Sequence, residues 1–385
     1  MKKFNVYNPT RIIFGEGRMP ELARNIAEDA RVLVLYGGGS AERHGTLAEV
    51  KSALGARHVQ LFGGIEPNPS YETLSKAVDI VRADKIDFLL AVGGGSVIDG
   101  TKFVAAAALF EGDTWEILQQ GGRNITKALP IGTVLTLPAT GSEMNNAGVV
   151  TRLSTKTKLP FHSKFLFPQF SILDPTKTYT LPTRQVANGI VDAYVHIMEQ
   201  YLTYPVGGMV QDRFAEGLLQ TLIEIGETAV KETDNYEVRA NLMWVATLAL
   251  NGIIGAGVPQ DWSTHLLGHE LTAQYGLDHA QTLAIILPSM MQLRRKEKHA
   301  KLLQYAERVW GITEGDDEQR IDVAIAKTRE FFEAVGVRTR LSDYQLGADC
   351  IEPVLAQLQI HGMDALGEYQ DITPEHCRTA LELSL

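Results

Sequence analysis

The chain has 385 residues, 45% hydrophobic and 21% charged, an ordinary globular composition that excludes a disordered or fibrous protein. At about 150 residues per domain it should form two domains. Lys plus Arg number 36 against 46 Asp plus Glu, a net charge of −10 with no basic run, which argues against nucleic acid as a partner.

In chain order, the opening residues 4–17 alternate weakly and carry two glycines, which suggests an edge hairpin. Residues 31–36 (RVLVLY) are a strand candidate running into Gly37, Gly38, Gly39 and Ser40. Residues 58–62 form a second candidate and 71–83 a helix. Residues 87–92 (DFLLAV) form a third strand candidate, running into Gly93, Gly94, Gly95 and Ser96. Residues 131–137 and 170–174 complete the set. Apolar strands separated by helices predict a buried parallel sheet, with ligands bound beyond the carboxyl ends of its strands. From about residue 180 the strand signals fade. Phe214, Leu218, Leu222 and Ile225 recur at helical spacing, and 236–251 and 301–310 read alike. The domains are therefore expected at 1–180, α/β and dinucleotide-binding, and at 181–385, all-helical. No apolar stretch is long and uncharged enough for a membrane span. Two cysteines without CxxC spacing, Cys350 and Cys377, exclude a disulfide scaffold and fit reduced thiols. With no secretory leader visible at Met1–Val6, the expected compartment is the cytoplasm.

The two glycine turns carry the first chemical signal. Backbone without side chains can approach a ligand closely, and free N–H groups opening a helix favour phosphate. Gly93–Ser96 suits a diphosphate, and Gly37–Ser40 suits the adenosine end. The GxGxxG fingerprint is absent, and no acidic residue occupies 36–41 to hold a ribose hydroxyl pair. That tolerates a 2′-phosphate and leans toward NADP(H), against which Glu42 speaks. Lys158 reads either as a phosphate partner or as a solvated loop lysine.

The histidines carry the second signal. Asp192 and His196 are four residues apart in a helical pattern, which faces them the same way. His265, His269 and His279 fall within 15 residues of mostly apolar sequence. Buried imidazoles need partners, and one carboxylate with two or three of them suits zinc or ferrous iron. His44, His58, His299, His361 and His376 read as surface residues, while His162 is open between surface and cleft.

At this point the sequence resembles a known family. FGGIEPNP (62–69), AVGGGSVIDGTKF (91–103), TLPATGSE (136–143), the stretch 173–201, GAGVPQDWSTHLLGHEL (255–271) and GLDHAQTLA (276–284) are similar to the iron-containing alcohol dehydrogenases over nearly the whole length. GGGS at 37–40 and DHAQTLA resemble the NADPH-dependent aldehyde reductase, butanol dehydrogenase-like branch. The resemblance implies a doubly wound, Rossmann-like α/β domain, an all-helical domain of the dehydroquinate synthase-like kind, and a cleft between them. It implies Asp192, His196, His265 and His279 as ligands of one divalent metal, which zinc, iron or nickel would satisfy. It puts His269 beside the nicotinamide, and this is the candidate proton relay. It puts Gly93–Ser96 on the pyrophosphate, with Asn68, Asp99, Thr136, Thr140, Asn145, Lys158 and Tyr179 lining the cofactor groove. Tyr194 departs from the family's aliphatic residue or Phe and is expected to alter the pocket wall. The implied activity is reversible reduction of small aldehydes to primary alcohols by a homodimer. The alternatives are an NAD-dependent polyol dehydrogenase of the same superfamily, a metal-dependent lyase or synthase with bound NAD, and a nucleotide sensor without turnover. No Tyr-x-x-x-Lys pair, GxSxG, HExxH or GxxxxGK[ST] is present.

Overall fold

The computed structural model describes all 385 residues. They divide into two compact units. One comprises Tyr7–Leu181 and Thr233–Thr247, the other Met1–Val6, Pro182–Glu232 and Leu248–Leu385.

The first unit is built on a six-stranded parallel sheet. Its strands are β1 (Arg11–Phe14), β2 (Arg31–Tyr36), β3 (His58–Phe62), β4 (Phe88–Gly94), β5 (Ile131–Leu137) and, after the β6 (Ala147–Arg152) and β7 (Thr157–His162) hairpin, β8 (Phe170–Leu173). The order is β1-β8-β5-β4-β2-β3. Val32, Leu33, Val34 and Leu35 are all fully buried because helices cover both faces. Leu33, Leu35, Leu89 and Ala91 join one core cluster, and Val32, Val34, Leu90 and Val92 the other. Strand alternation thus sends successive side chains into two separate cores, so the apolar runs are continuous rather than alternating. Sequence-successive strands run outward in both directions from the β2–β4 pair. That is a topological switch point, where ligands bind in open α/β sheets.

Residues 4–17 do not form a hairpin. Only Arg11–Phe14 is extended, as an edge strand parallel to β8. Beyond it Gly15 and Gly17 take positive φ, and Gly17 N–H donates to Asp174, which turns the chain away before a second strand can pair.

The second unit is helical, with Thr183–Tyr201, Met209–Lys231, Ser263–Tyr275, His279–Leu293, His299–Arg308 and Asp317–Ala334 as its longer members. In the helix Met209–Lys231 the buried stripe is Ala215, Leu219, Leu222, Gly226 and Ala229. The expected stripe was rotated, for Phe214 is half exposed. Small residues face the core there because Gly226 lies against Phe331, where a Cβ would sit 2.8 Å from the ring. The helix Tyr236–Ala249 belongs mostly to the sheet unit, where Trp244 packs edge-on to Phe14 and Met243 joins the core.

Tyr194 does not form a pocket wall. It is fully buried against Phe331 and Phe332, and its hydroxyl bonds Tyr305, whose own hydroxyl bonds Thr328. Tyr194→Phe should therefore leave kcat unchanged and cost about 1 kcal/mol of stability, read from chemical denaturation midpoints beside steady-state rates.

Candidate active site

The two glycine turns lie side by side at the switch point, since Tyr36 pairs with Val92. After β2, Gly39 has φ of +93° and starts the short helix Ser40–Arg43, a conformation that only glycine adopts without cost. The Arg43 guanidinium lies over this turn, with Nη1 3.5 Å from the Gly38 carbonyl. After β4 there is no loop, because the strand ends at Gly94 and the helix Gly95–Ala107 begins at once. A Cβ at Gly95 would stand 2.4 Å from Thr140, so only glycine lets the β5 loop approach the first helical turn.

Around these turns the remaining candidates split into two groups. Lys158 is no solvated loop residue. It lies buried on β7 opposite Thr151, and its Nζ donates to Asn68 Oδ1 at 2.9 Å. The Asn68 N–H in turn approaches Ser96 Oγ at 3.3 Å. Asp99 accepts from Ser142 Oγ at 2.6 Å and from Val149 N–H at 3.0 Å. Thr136 is near the end of β5, Thr140 and Asn145 occupy the loop after it, and Tyr179 follows a 3-10 turn beyond β8. The chain thus brings Asn68, Ser96 and Lys158 into one linked group and Asp99 and Asn145 into another.

Sequence reasoning missed what joins the second group. Lys102 is fully buried, and its Nζ donates to Ser142 Oγ, Asn145 Oδ1 and the Ala147 carbonyl at 2.8, 2.9 and 2.7 Å. Its spacing from Asp99 was the available signal. Burial pushes its ammonium down to about 8, against the pull of Asp99 and Glu143. An unfolded Lys102 keeps its proton to 10.5. Between these values the unfolded chain binds the extra proton, so folding stability rises with pH there, by about 3 kcal/mol in total. Urea denaturation across that window should show wild type gaining on Lys102→Met as pH rises, and equal slopes would refute the buried charge.

In the helical unit, Asp192 and His196 face one way from the helix Thr183–Tyr201, His265 and His269 from the first turns of Ser263–Tyr275, and His279 from the start of His279–Leu293. Asp278 caps that last helix in a capping box with Gln281 and accepts from Asn188, one turn before Asp192, at 2.7 Å. His279 is thereby tied to the helix of the first two candidates. The ligand atoms of Asp192, His265 and His279 all lie within 4.8 Å of one another. Asp192 Oδ1 is 3.7 Å from His196 Nδ1, 3.9 Å from His265 Nε2 and 3.8 Å from His279 Nε2. The His196 ring stacks on His265 with centroids 4.5 Å apart.

These separations exceed a hydrogen bond. Ligands about 2.1 Å from a tetrahedral cation lie roughly 3.4 Å apart. Asp192 Oδ1 is buried without a hydrogen-bond partner, a costly arrangement unless something positive shares the space. Asp192, His265 and His279, one carboxylate and two imidazoles, thus fit a divalent cation, while His196, with Nδ1 3.7 Å from Asp192 Oδ1, lies outside the three atoms that are all close to one another. The His269 ring lies 5.0 Å from that of His279 and 6.3 Å from that of His265.

Other histidines fall elsewhere. His162 is exposed at the end of β7. His361 is not a surface residue, because its side chain is 8% exposed and Nδ1 bonds Glu270 at 2.7 Å, which holds the imidazole above its ordinary range. Its position just after an amphipathic helix gave no hint of that partner. Sequence reasoning also missed Glu199, whose buried carboxylate bonds His265 Nδ1.

Two family models cover the chain, "Iron-containing alcohol dehydrogenase" over residues 9–175 and "Fe-containing alcohol dehydrogenase family, C-terminal" over 186–384. The chain belongs to the iron-containing alcohol dehydrogenase family. Among other members of this family, it is 60% identical to the NADPH-dependent aldehyde reductase YqhD of Escherichia coli, over 99% of each chain. It is 38% identical to the NADH-dependent butanol dehydrogenase A of Clostridium acetobutylicum, over 97% of each. The substrate- and cofactor-free structure of the E. coli aldehyde reductase YqhD superposes with a TM-score of 0.94 at 58% identity, covering 100% of both chains. Family membership agrees with the expected parallel-sheet domain followed by a helical part.

Proposed function

We propose that this protein is a metal-dependent, NADPH-linked aldehyde reductase, reversible toward primary alcohols. The observation that carries the reading is the buried, unpartnered Asp192 Oδ1 with imidazole nitrogens of His196, His265 and His279 at 3.7 to 3.9 Å. Asp192, His196, His265 and His279 would hold the cation, zinc or iron. When bound, the cation supplies Lewis-acid polarisation of the aldehyde oxygen, and NADPH supplies the hydride. His269, next to two of the ligands, passes the proton that the reduced oxygen needs. Gly93–Ser96 presents backbone N–H groups to the diphosphate, supported by Asn68 and Lys158. Thr136, Thr140, Asn145, Asp99 and Tyr179 line the rest of the cofactor site.

The choice of NADP(H) rests on the turn after β2. Gly37, Gly38, Gly39 and Ser40 offer no carboxylate, and the Arg43 guanidinium lies beside them, a setting suited to a 2′-phosphate. The sheet unit, Tyr7–Leu181 with Thr233–Thr247, is then the cofactor domain and the helical unit the metal domain, close to the expected division at 180 except for Met1–Val6 and Thr233–Thr247. The exposed apolar side chains of Met1, Phe4, Val6 and Tyr7 support a homodimer built through this arm. The two buried free thiols fit a cytoplasmic enzyme. No helix is long and apolar enough to cross a membrane.

The test is oxidation of NADPH and of NADH by butanal, followed in the near ultraviolet, with enzyme as purified, chelator-stripped, and reloaded with zinc or ferrous iron. Fast NADPH oxidation that is lost on stripping and restored by one metal supports the reading. An NADH preference overturns the cofactor assignment drawn from Ser40. Binding of metal and NADPH without turnover overturns the reductase.

A further inference from the structure

Glu199 is 3% exposed, and both of its carboxylate oxygens are engaged. Oε1 accepts from the Thr264 N–H at 2.7 Å, and Oε2 bonds His265 Nδ1. Its main-chain carbonyl accepts from the Asp261 N–H at 2.8 Å. One residue of the helix Thr183–Tyr201 thus holds three points in and just before the helix that carries His265. An imidazole can carry its proton on either nitrogen and can rotate. A carboxylate on Nδ1 keeps the proton there and leaves the Nε2 lone pair as the donor. In this structure Nε2 is the atom turned toward Asp192, at 3.9 Å.

A second layer of buried charges holds the Asp261 end of this arrangement. Asp261, next along the chain from Gln260, bonds Lys298 Nζ, which also lies 3.2 Å from Glu368 and donates to the Leu202 carbonyl at 2.6 Å. Lys298 is itself buried, so the ammonium serves this group rather than solvent. The same assembly fixes the segment that leads to Trp262, whose φ of +66° is rare for a bulky residue and whose ring lies 5.4 Å from that of His265.

We propose that Glu199 is a positioning residue for the metal centre, holding His265 in the Nε2-donor tautomer and in the orientation that coordination needs. This rests on the metal reading of the Asp192 cluster. Outer partners of this kind set metal affinity by about 10- to 100-fold.

The test compares wild type, Glu199→Ala and Glu199→Gln. Zinc affinity is measured by competition with a chromophoric chelator, and NADPH affinity by fluorescence. Glu199→Ala should weaken zinc binding by about 10- to 100-fold with NADPH affinity unchanged. Glu199→Gln keeps the shape and one acceptor for Nδ1, so it should recover part of that loss. Zinc affinity equal to wild type in both variants overturns the inference and leaves the metal site standing. A wild-type protein that takes up no zinc overturns the metal reading, and this inference with it. A loss of NADPH affinity parallel to that of zinc overturns the positioning role in favour of general destabilisation.

Discussion

Asp192→Asn should lower kcat by on the order of 10³ while NADPH affinity stays within about two-fold of wild type. The substitution keeps volume and one oxygen, so the helix Thr183–Tyr201 should form as before. What it removes is the carboxylate charge that three imidazole nitrogens face at 3.7 to 3.9 Å. Uncharged imidazoles alone hold a divalent cation less tightly, and zinc retention after dialysis should fall with the rate. The residues assigned to NADP(H) belong to the other compact unit, which is why cofactor affinity is the internal control. Isothermal titration with NADPH and metal analysis of the dialysed variant separate the effects. A variant that keeps its metal and its wild-type kcat removes Asp192 from the ligand set.

Why were the sheet and the ligand cluster legible while other parts were not? Four of the five strands read from sequence, β2, β4, β5 and β8, lie inside the sheet and are mostly apolar, and the fifth, β3, is an edge strand that the glycine pair after it marked. β1 is a short edge strand, and its partner β8 lies more than 150 residues away, so local alternation could not show the parallel pairing. The β6–β7 hairpin escaped because Lys158, on β7, is buried through a hydrogen bond rather than by apolarity. Burial satisfied in this way leaves no periodic signal. The stripe on the helix Met209–Lys231 was misplaced for a related reason. Pattern reading follows large apolar side chains, whereas close helix packing selects Ala and Gly.

The candidate site shows the same division. Asp192 and His196 are visible because i and i+4 spacing is local. His265 and His279 stand out because imidazoles are unusual in apolar sequence. Lys102 and Glu199 do not stand out, since a lysine or a glutamate on a helix ordinarily faces water. Only the fold shows each to be buried and fully engaged. Tyr194 is the converse case. Sequence position two residues from a ligand suggested a pocket wall, but two residues along a helix is about 200° around it, and the side chain reaches Tyr305 instead.

Ser40→Asp should lower kcat/KM with NADPH by on the order of 10² and leave that with NADH unchanged or raised. Ser40 opens the short helix after β2 directly behind Gly39, where the adenosine ribose is assigned. A carboxylate there would face the 2′-phosphate. Two like charges about 4 Å apart repel by about 1 kcal/mol in water and about 4 kcal/mol at the surface of a protein, so a loss of about 2 to 3 kcal/mol is the middle of the range. The same carboxylate accepts from the two ribose hydroxyls of NADH, which offsets any general disturbance for that cofactor. Arg43 supplies the contrast, since its guanidinium lies over the same turn. Arg43→Ala should weaken NADPH without favouring NADH, because it removes an attraction and adds no repulsion. The two substitutions therefore separate the sources of preference. If Ser40→Asp slows both cofactors equally, the turn after β2 serves only to shape the backbone, and selectivity for the 2′-phosphate must lie elsewhere in the sheet unit.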